Sequence, residues 1–171
     1  EEGEFTIERL TDYSNVAEWT REFLELEARG WKGGAGSAMH SNPATRELFR
    51  YAIAGSAARG RLERIALRLD GRPIAMLANF LTAPGAFSYK TAFDEDYARF
   101  SPGVLLQREN LALLERAGVE WVDSCAAQDH PMIDHFWRER RVIQRRSIGI
   151  GGGLRRAAFK TLIRLETGRG A

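Results

Sequence analysis

The segment Tyr97–Gly118 constrains this chain more than any other, because one strand-like stretch runs into it and a second runs out of it. Ser101 suits a helix cap, Pro102 the first helical position, and Gly103 leaves the next position without a side chain. This order predicts a helix whose first amides lie open, an end that attracts phosphate and other anions. Val104, Leu111 and Leu114 recur as one apolar stripe, with Gln107, Arg108, Glu109 and Glu115 mostly off it, and Gly118 closes the helix. Many α/β folds hold a phosphate with a strand, a glycine-bearing turn and a helix; a well-capped helix without a ligand satisfies the same residues.

Before this segment the pattern is that of a small sheet. Glu4–Leu10 reads as a short strand, and Thr11–Asn15 supplies cap residues for an amphipathic helix on which Val16, Trp19, Phe23 and Leu26 form the apolar stripe. Glu18, Arg21, Glu25 and Glu27 fall on its other faces, and the helix ends near Gly30. Gly30–Ala38 is too rich in glycine for regular structure. It is either a plain connector or a loop whose Trp31 and Lys32 clamp a substrate. Asn42-Pro43 starts a second helix that ends by Gly60. Three strands follow. Ile65, Leu67 and Leu69 alternate with Arg64, Ala66 and Arg68, Asp70-Gly71 is a two-residue hairpin turn, and Ile74, Met76, Ala78 and Phe80 alternate on the return. Pro84-Gly85 turns the chain again into Ala86–Ala92, where Phe87 and Tyr89 face one way and Ser88 and Lys90 the other.

After the helix, Val119–Ala126 reads as a strand parallel to the last of the three, since a crossover helix joins them. Asp129-His130-Pro131 starts a further helix over Met132–Arg140, and Ser147–Ile150 is a candidate strand that closes the sheet. Leu154–Leu165 makes a basic amphipathic helix, with Leu154, Ala158, Leu162 and Leu165 on one side and Arg155, Arg156, Lys160 and Arg164 elsewhere. The expected class is α/β (α+β): a mixed twisted sheet with an antiparallel meander and helices on both faces.

Composition narrows the function. With 171 residues and 44% hydrophobic content the chain can bury its own core and is expected to form one domain. Its 25 basic and 23 acidic residues nearly cancel, which does not mark a DNA binder. A lone cysteine, Cys125, cannot form an internal disulfide, and no Cys/His spacing suggests zinc, so a reducing, cytoplasmic setting without metal is expected. No apolar run reaches the roughly 18 residues of a membrane span. The opening Glu1-Glu2-Gly3 suggests one piece of a longer protein.

Four blocks carry a family resemblance: Phe23–Glu27 with Gly30–Gly33, Lys90–Glu95, Ser101–Leu106, and Asp123–Ala126 with His130–Ile133. Together with the order of elements they resemble the GNAT fold of N-acyltransferases, and more narrowly the GNAT-type domain of acetyltransferases associated with cellulose and other exopolysaccharide synthesis. The superfamily includes the Fem-type peptidyltransferases, with two GNAT domains in tandem, of which this chain is similar to the C-terminal one. The resemblance implies acetyl-CoA as acyl donor and an amine or sugar hydroxyl as acceptor, in exopolysaccharide or cell-envelope biosynthesis. An aminoacyl-tRNA donor with tRNA on an arginine-rich surface, or a non-catalytic binding module, fits the same resemblance. The usual Gln/Arg-x-x-Gly-x-Gly/Ala turn is replaced here by Arg99-Phe100-Ser101-Pro102-Gly103, with one glycine and a proline that removes an amide donor.

Acyl transfer to an amine needs a polarised carbonyl, a deprotonated amine and a proton for the departing thiolate. Ser101, Pro102, Gly103 and Val104 are the expected cofactor-binding turn. Asp94 and Glu95 are proton acceptors or a solvated pair, Lys90 a ligand for an anionic acceptor or a rim charge, and Asp123 a functional acid or a cap. Trp31 and Lys32 join Lys90 as candidate substrate contacts. The resemblance places His130 where the family has a cofactor-contacting Asn, and Trp137 where it has a Tyr that protonates the leaving thiolate. An indole N–H steadies a sulfur but gives up no proton at neutral pH, so His130, oriented by Asp123, is the candidate acid.

Overall fold

The computed structural model describes residues 3–30, 39, 42–127, 129–130, 132–142 and 146–168. It forms two compact units, Glu1–Glu139 and Arg140–Ala171. In the first, the described residues build a five-stranded sheet whose spatial order follows the sequence: β1 (Phe5–Leu10), β2 (Leu62–Leu69), β3 (Arg72–Thr82), β4 (Gly85–Phe93) and β5 (Trp121–Asp123). β1 to β4 pair antiparallel, and β5 runs parallel to β4. The Asp70-Gly71 hairpin has positive φ at both residues, 50° and 76°, and closes on the pair Leu69 and Arg72, as a two-residue turn that continues the strand twist requires.

Helices cover both faces. On one, α1 (Val16–Arg29) and α2 (Pro43–Ala57) bury Trp19, Phe23, Leu26, Phe49 and Ile53 against Leu62, Ala66, Met76 and Ala78. Each large apolar side chain buried there contributes about 1.5–3 kcal/mol. Asn42 caps α2 as its sequence implies, accepting from the amides of Ala44 and Thr45. On the other face, α3 (Pro102–Asn110) sets Leu106 among Ile65, Leu67, Ala75 and Leu77 and runs on as a 3-10 turn, Leu111–Glu115. Met39 is buried in the first face.

Several expectations require correction. The stripe of α3 is not Val104, Leu111 and Leu114: the last two are exposed, whereas Leu106, Gln107, Asn110 and Leu113 are buried. Periodicity misled because the inward face of this helix is partly polar. Glu27, expected outside, is buried. A register slip between Leu67 and Arg68 places Ile74 on the α3 face, away from Met76 and Ala78. The turn before β4 is Ala83-Pro84, not Pro84-Gly85. β5 stops at Asp123, and the helix expected over Met132–Arg140 shortens to α4 (Ile133–Phe136). The Ser147–Ile150 strand is not formed.

The second unit holds α5 (Gly153–Thr167), with Leu154, Leu162 and Leu165 exposed. No helix among the described residues is long and apolar enough to cross a membrane.

Candidate functional site

β4 and β5 pair only over Gly85–Phe87 against Trp121–Asp123, where β5 ends, so beyond Phe87 the outer edge of β4 has no paired strand among the described residues; this stretch is the candidate opening. Contact at the closed end is tight enough that a Cβ on Gly85 would collide with the Trp121 ring, and Trp121 also meets Phe87 edge-on. Just past the last pair, β4 bulges: Asn79 faces Ser88 and Ala78 faces Lys90, which leaves Tyr89 as the extra residue. An extra residue drops out of the ladder with β3 and leaves backbone hydrogen-bonding capacity at the opening. Ligands of open α/β sheets occupy such a crevice at the carboxyl ends of diverging strands.

The bulge overturns the expected facing of β4. Ser88 turns to the α3 face, and Lys90 turns to the α1 face, where its Nζ lies 2.9 Å from Glu27 Oε1. Glu27 also accepts from the Met39 amide, so it ties the end of α1 to the chain entering α2. Trp31 and Lys32 lie outside the described residues.

Under the α3 face runs a buried polar seam that hydrophobic patterning does not reveal. Glu63 on β2 receives Arg9 from β1, Asn79 from β3 at 3.3 Å and Arg116 from beyond α3 at 3.2 Å. Asn79, Ser88 and Asn110 bond to one another, and Gln107 donates to Thr91 at 3.2 Å. The seam fixes α3 relative to β4, and hence the first turn of α3 relative to the opening. On α3 its trace in the sequence is Gln107 and Asn110, polar residues on the buried face.

That first turn sits against both sides of the crevice. A Cβ on Gly103 would meet Phe93 at the end of β4 and Met132 beyond β5, each at 3.4 Å. Gly103 and Pro102 are buried, so the amides do not lie open as a group. Pro102 has none to offer, and those of Val104 and Leu105 both donate to the Ser101 carbonyl at 2.9 and 3.1 Å. A large residue at Gly103 would therefore press on Phe93 and Met132 as well as on any ligand. Ser101 has left-handed geometry, φ 52°, and its side chain makes no capping bond to the helix. Arg99 stands over the Phe100 ring at 4.5 Å.

The other sequence candidates make separate contacts and form no single cluster in the bonds they share. Asp94 is buried, pairs with Arg72 at 2.7 Å and caps the 3-10 turn Glu95–Phe100 through the Asp96 amide. Glu95 is exposed, its carboxylate beside the Gly30 backbone at the end of α1. Asp123 caps its own turn, accepting from the Cys125 amide at 2.8 Å. His130 accepts the Ile133 amide at Nδ1, 3.4 Å, which leaves its other nitrogen for a different partner. Trp137 donates its indole N–H to Gln107 at 3.3 Å and so joins the seam.

A second, apolar cleft of about 570 Å³ lies between α2 and the ends of β3 and β4. Phe49, Phe80, Phe87 and Tyr89 line it with Leu48 and Cys125, and Arg59 and Arg61 also contribute. Tyr89 stacks near Phe49 and meets Phe80 edge-on, so the bulge residue reaches into this cleft. Cys125 is exposed as a residue, yet burial around its sulfur, with the Asp123 carboxylate second, pushes its thiol up to about 11. It is not an activated nucleophile. No cluster of His, Cys, Asp or Glu among the described residues is placed to hold a metal ion.

Solved structures share this architecture. A GCN5-related N-acetyltransferase from Ralstonia eutropha superposes with a TM-score of 0.61 at 13% identity, over 87% of this chain and all of that one. An aminoglycoside acetyltransferase from an uncultured soil metagenomic sample, solved with sisomicin, gives 0.59 at 17% identity over 84% and 95%. The PaiA N-acetyltransferase of Thermoplasma acidophilum, solved with coenzyme A, gives 0.50 at 15% identity over 67% and 75%. A comparison with curated protein sequences gives no match. The family model described as acetyltransferase (GNAT) domain matches residues 1–149, and with the short parallel β4–β5 pairing, the bulge of β4 against β3 and the helix behind, the chain belongs to the GNAT acetyltransferases.

Proposed function

We propose that this acetyltransferase takes acetyl-CoA into the β4–β5 opening and passes the acetyl group to an amine, or a hydroxyl, of a sugar-bearing small molecule. The observation that carries the reading is the bulge at Tyr89: it falls two residues past the last β4–β5 pair and its side chain lines the apolar cleft, so one residue lies next to a donor side and an acceptor side. The acceptor nitrogen attacks the thioester carbonyl, the C–N bond forms as the C–S bond breaks, the amine loses one proton and the thiolate gains one. Backbone N–H groups at the bulge polarise the carbonyl. The pantetheine arm runs between the strands, and the phosphates lie near Ser101, with Arg99 close by in sequence as a cation.

For the leaving thiolate we assign His130 as the proton donor. It acts as acid in the imidazolium form, giving one proton to the thiolate and returning to the neutral ring, whose Nδ1 accepts from the Ile133 amide. Trp137, held to Gln107, orients the segment and donates no proton. Glu95 is the assigned base for the amine. Asp94 is held by Arg72, and Asp123 by its turn. The resemblance of four sequence blocks to exopolysaccharide-associated acetyltransferases supports a saccharide acceptor, as do the aromatic walls of the cleft. The aminoglycoside acetyltransferase of similar fold was solved with sisomicin.

Thiol release from acetyl-CoA, followed with a panel of amino sugars, neutral sugars, alkylamines and peptides, tests this reading. Stimulation at least tenfold by a saccharide is expected. Turnover with aminoacyl-tRNA alone, or no acetyl-CoA binding, overturns it.

A further inference from the structure

Asn79, Ser88 and Asn110 form a closed ring of side-chain hydrogen bonds. Ser88 donates to Asn79 at 2.8 Å, Asn79 to Asn110 at 2.7 Å, and Asn110 back to Ser88 at 2.8 Å. All three are buried, at 0–3% exposure, between the sheet and α3. Stability alone does not call for such a ring, because a matched apolar trio fills the same space at little or no cost. Its position in the sheet suggests another purpose.

Asn79 and Ser88 are the pair at which the β3–β4 register slips; on the other side of the slip Ala78 pairs with Lys90. The bulge therefore starts at the ring, one residue beyond the last β4–β5 pair at Phe87. A strand that slips by one residue sends every side chain to the opposite face. If Tyr89 were drawn back into the ladder, the residues on one side of the bulge would have to change faces, Ser88 leaving Asn79 or Lys90 leaving Glu27. An apolar trio would not resist that slip, whereas the ring does, because it leaves buried amides without partners. Asn110 is the last residue of α3, so the ring also sets the distance from the bulge to the helix whose first turn borders the opening.

We propose that the Asn79–Ser88–Asn110 ring is a register lock, which holds the backbone at Tyr89 in the one conformation that donates to the thioester carbonyl. This rests on the reading that acetyl-CoA enters the β4–β5 opening. Ser88 and Asn110 are positioning residues: they touch no substrate and act through the strand between donor and acceptor sides.

The test does not depend on the acceptor. Acetyl-CoA labelled with ¹³C at the carbonyl is bound to the full chain, and its carbonyl stretch is recorded by isotope-edited infrared spectroscopy beside calorimetric affinity. The native protein is expected to move the band to lower frequency than in water. Ser88→Ala is expected to return it toward the solution value with affinity within about threefold, and to lower acetyl transfer roughly tenfold to a hundredfold, the scale of a misplaced carbonyl donor. Ser88→Thr, which keeps the hydroxyl, is expected to keep the native band. In ligand-free protein, Asn110→Leu is expected to speed amide exchange at residues 88–90 at least tenfold. A native band in folded Ser88→Ala overturns the lock. Should Ser88→Ala not fold, a native band and native exchange in Asn110→Leu overturn it instead. If the native protein binds acetyl-CoA and leaves the band unmoved, the failure lies in the placement of the carbonyl at the bulge, and the lock falls with it.

Discussion

Removing the Glu63 carboxylate is the most informative perturbation of the seam that carries α3. Glu63 receives two guanidinium groups and an amide, and its side chain is 4% exposed. Breaking a buried ion pair costs about 3–5 kcal/mol when the partner stays buried and charged. Arg9 and Arg116 are 29% and 36% exposed, so both recover part of their hydration. Asn79 does not, and losing its acceptor adds about 1 kcal/mol. Glu63→Ala should therefore cost about 3 kcal/mol, which for a chain of this size lowers the melting temperature by about 6–12 °C. Glu63→Gln, which keeps one acceptor and the volume, should cost about half as much. Urea unfolding of both variants, with Arg9→Ala and the double variant to close a thermodynamic cycle, measures the terms separately. A loss below about 1 kcal/mol for Glu63→Ala, or no coupling to Arg9, would show that the seam does not hold the helix.

Gly85→Ala places a Cβ inside the Trp121 ring, so the β4–β5 contact should loosen at a cost of about 1–3 kcal/mol, with a changed near-ultraviolet tryptophan signal; an unchanged spectrum and melting curve would count against the tight closed end. Because the Cys125 thiol is raised to about 11, above its ordinary value, the neutral form is favoured in the fold; alkylation by iodoacetamide should be slow at pH 7.5 and climb only toward pH 11, and rapid labelling near neutrality would contradict the assigned environment. His130→Ala should lower turnover about a hundredfold and Trp137→Phe far less, whereas near-native rates in both would move the proton to Glu95 or water.

Much of the fold is legible in the residues. Asn42-Pro43 and Asp70-Gly71 act locally, and the structure uses both as their chemistry dictates. The parallel placement of β5 follows from a crossover helix too long for a hairpin. What the sequence conceals is non-local. Simple alternation puts Ser88 and Lys90 on one face, and a single bulged residue separates them. The stripe of α3 is hidden because Gln107 and Asn110 are buried by hydrogen bonding, not by hydrophobicity. Glu27 looked solvated on a helical wheel, yet Lys90 and the Met39 amide meet it inside. The candidate site shares this character: Ser101-Pro102-Gly103 marks the start of α3, but its packing under Phe93 and Met132 depends on partners distant in sequence.

Amide chemical-shift mapping of the labelled protein titrated with coenzyme A tests whether the donor lies between β4 and β5. Saturable shifts are predicted at Ser88, Tyr89 and Lys90, at Ser101 and Gly103, and at the Trp137 indole. Shifts confined to the α2 cleft around Phe49 and Phe80, or no shifts at millimolar coenzyme A, would contradict the account.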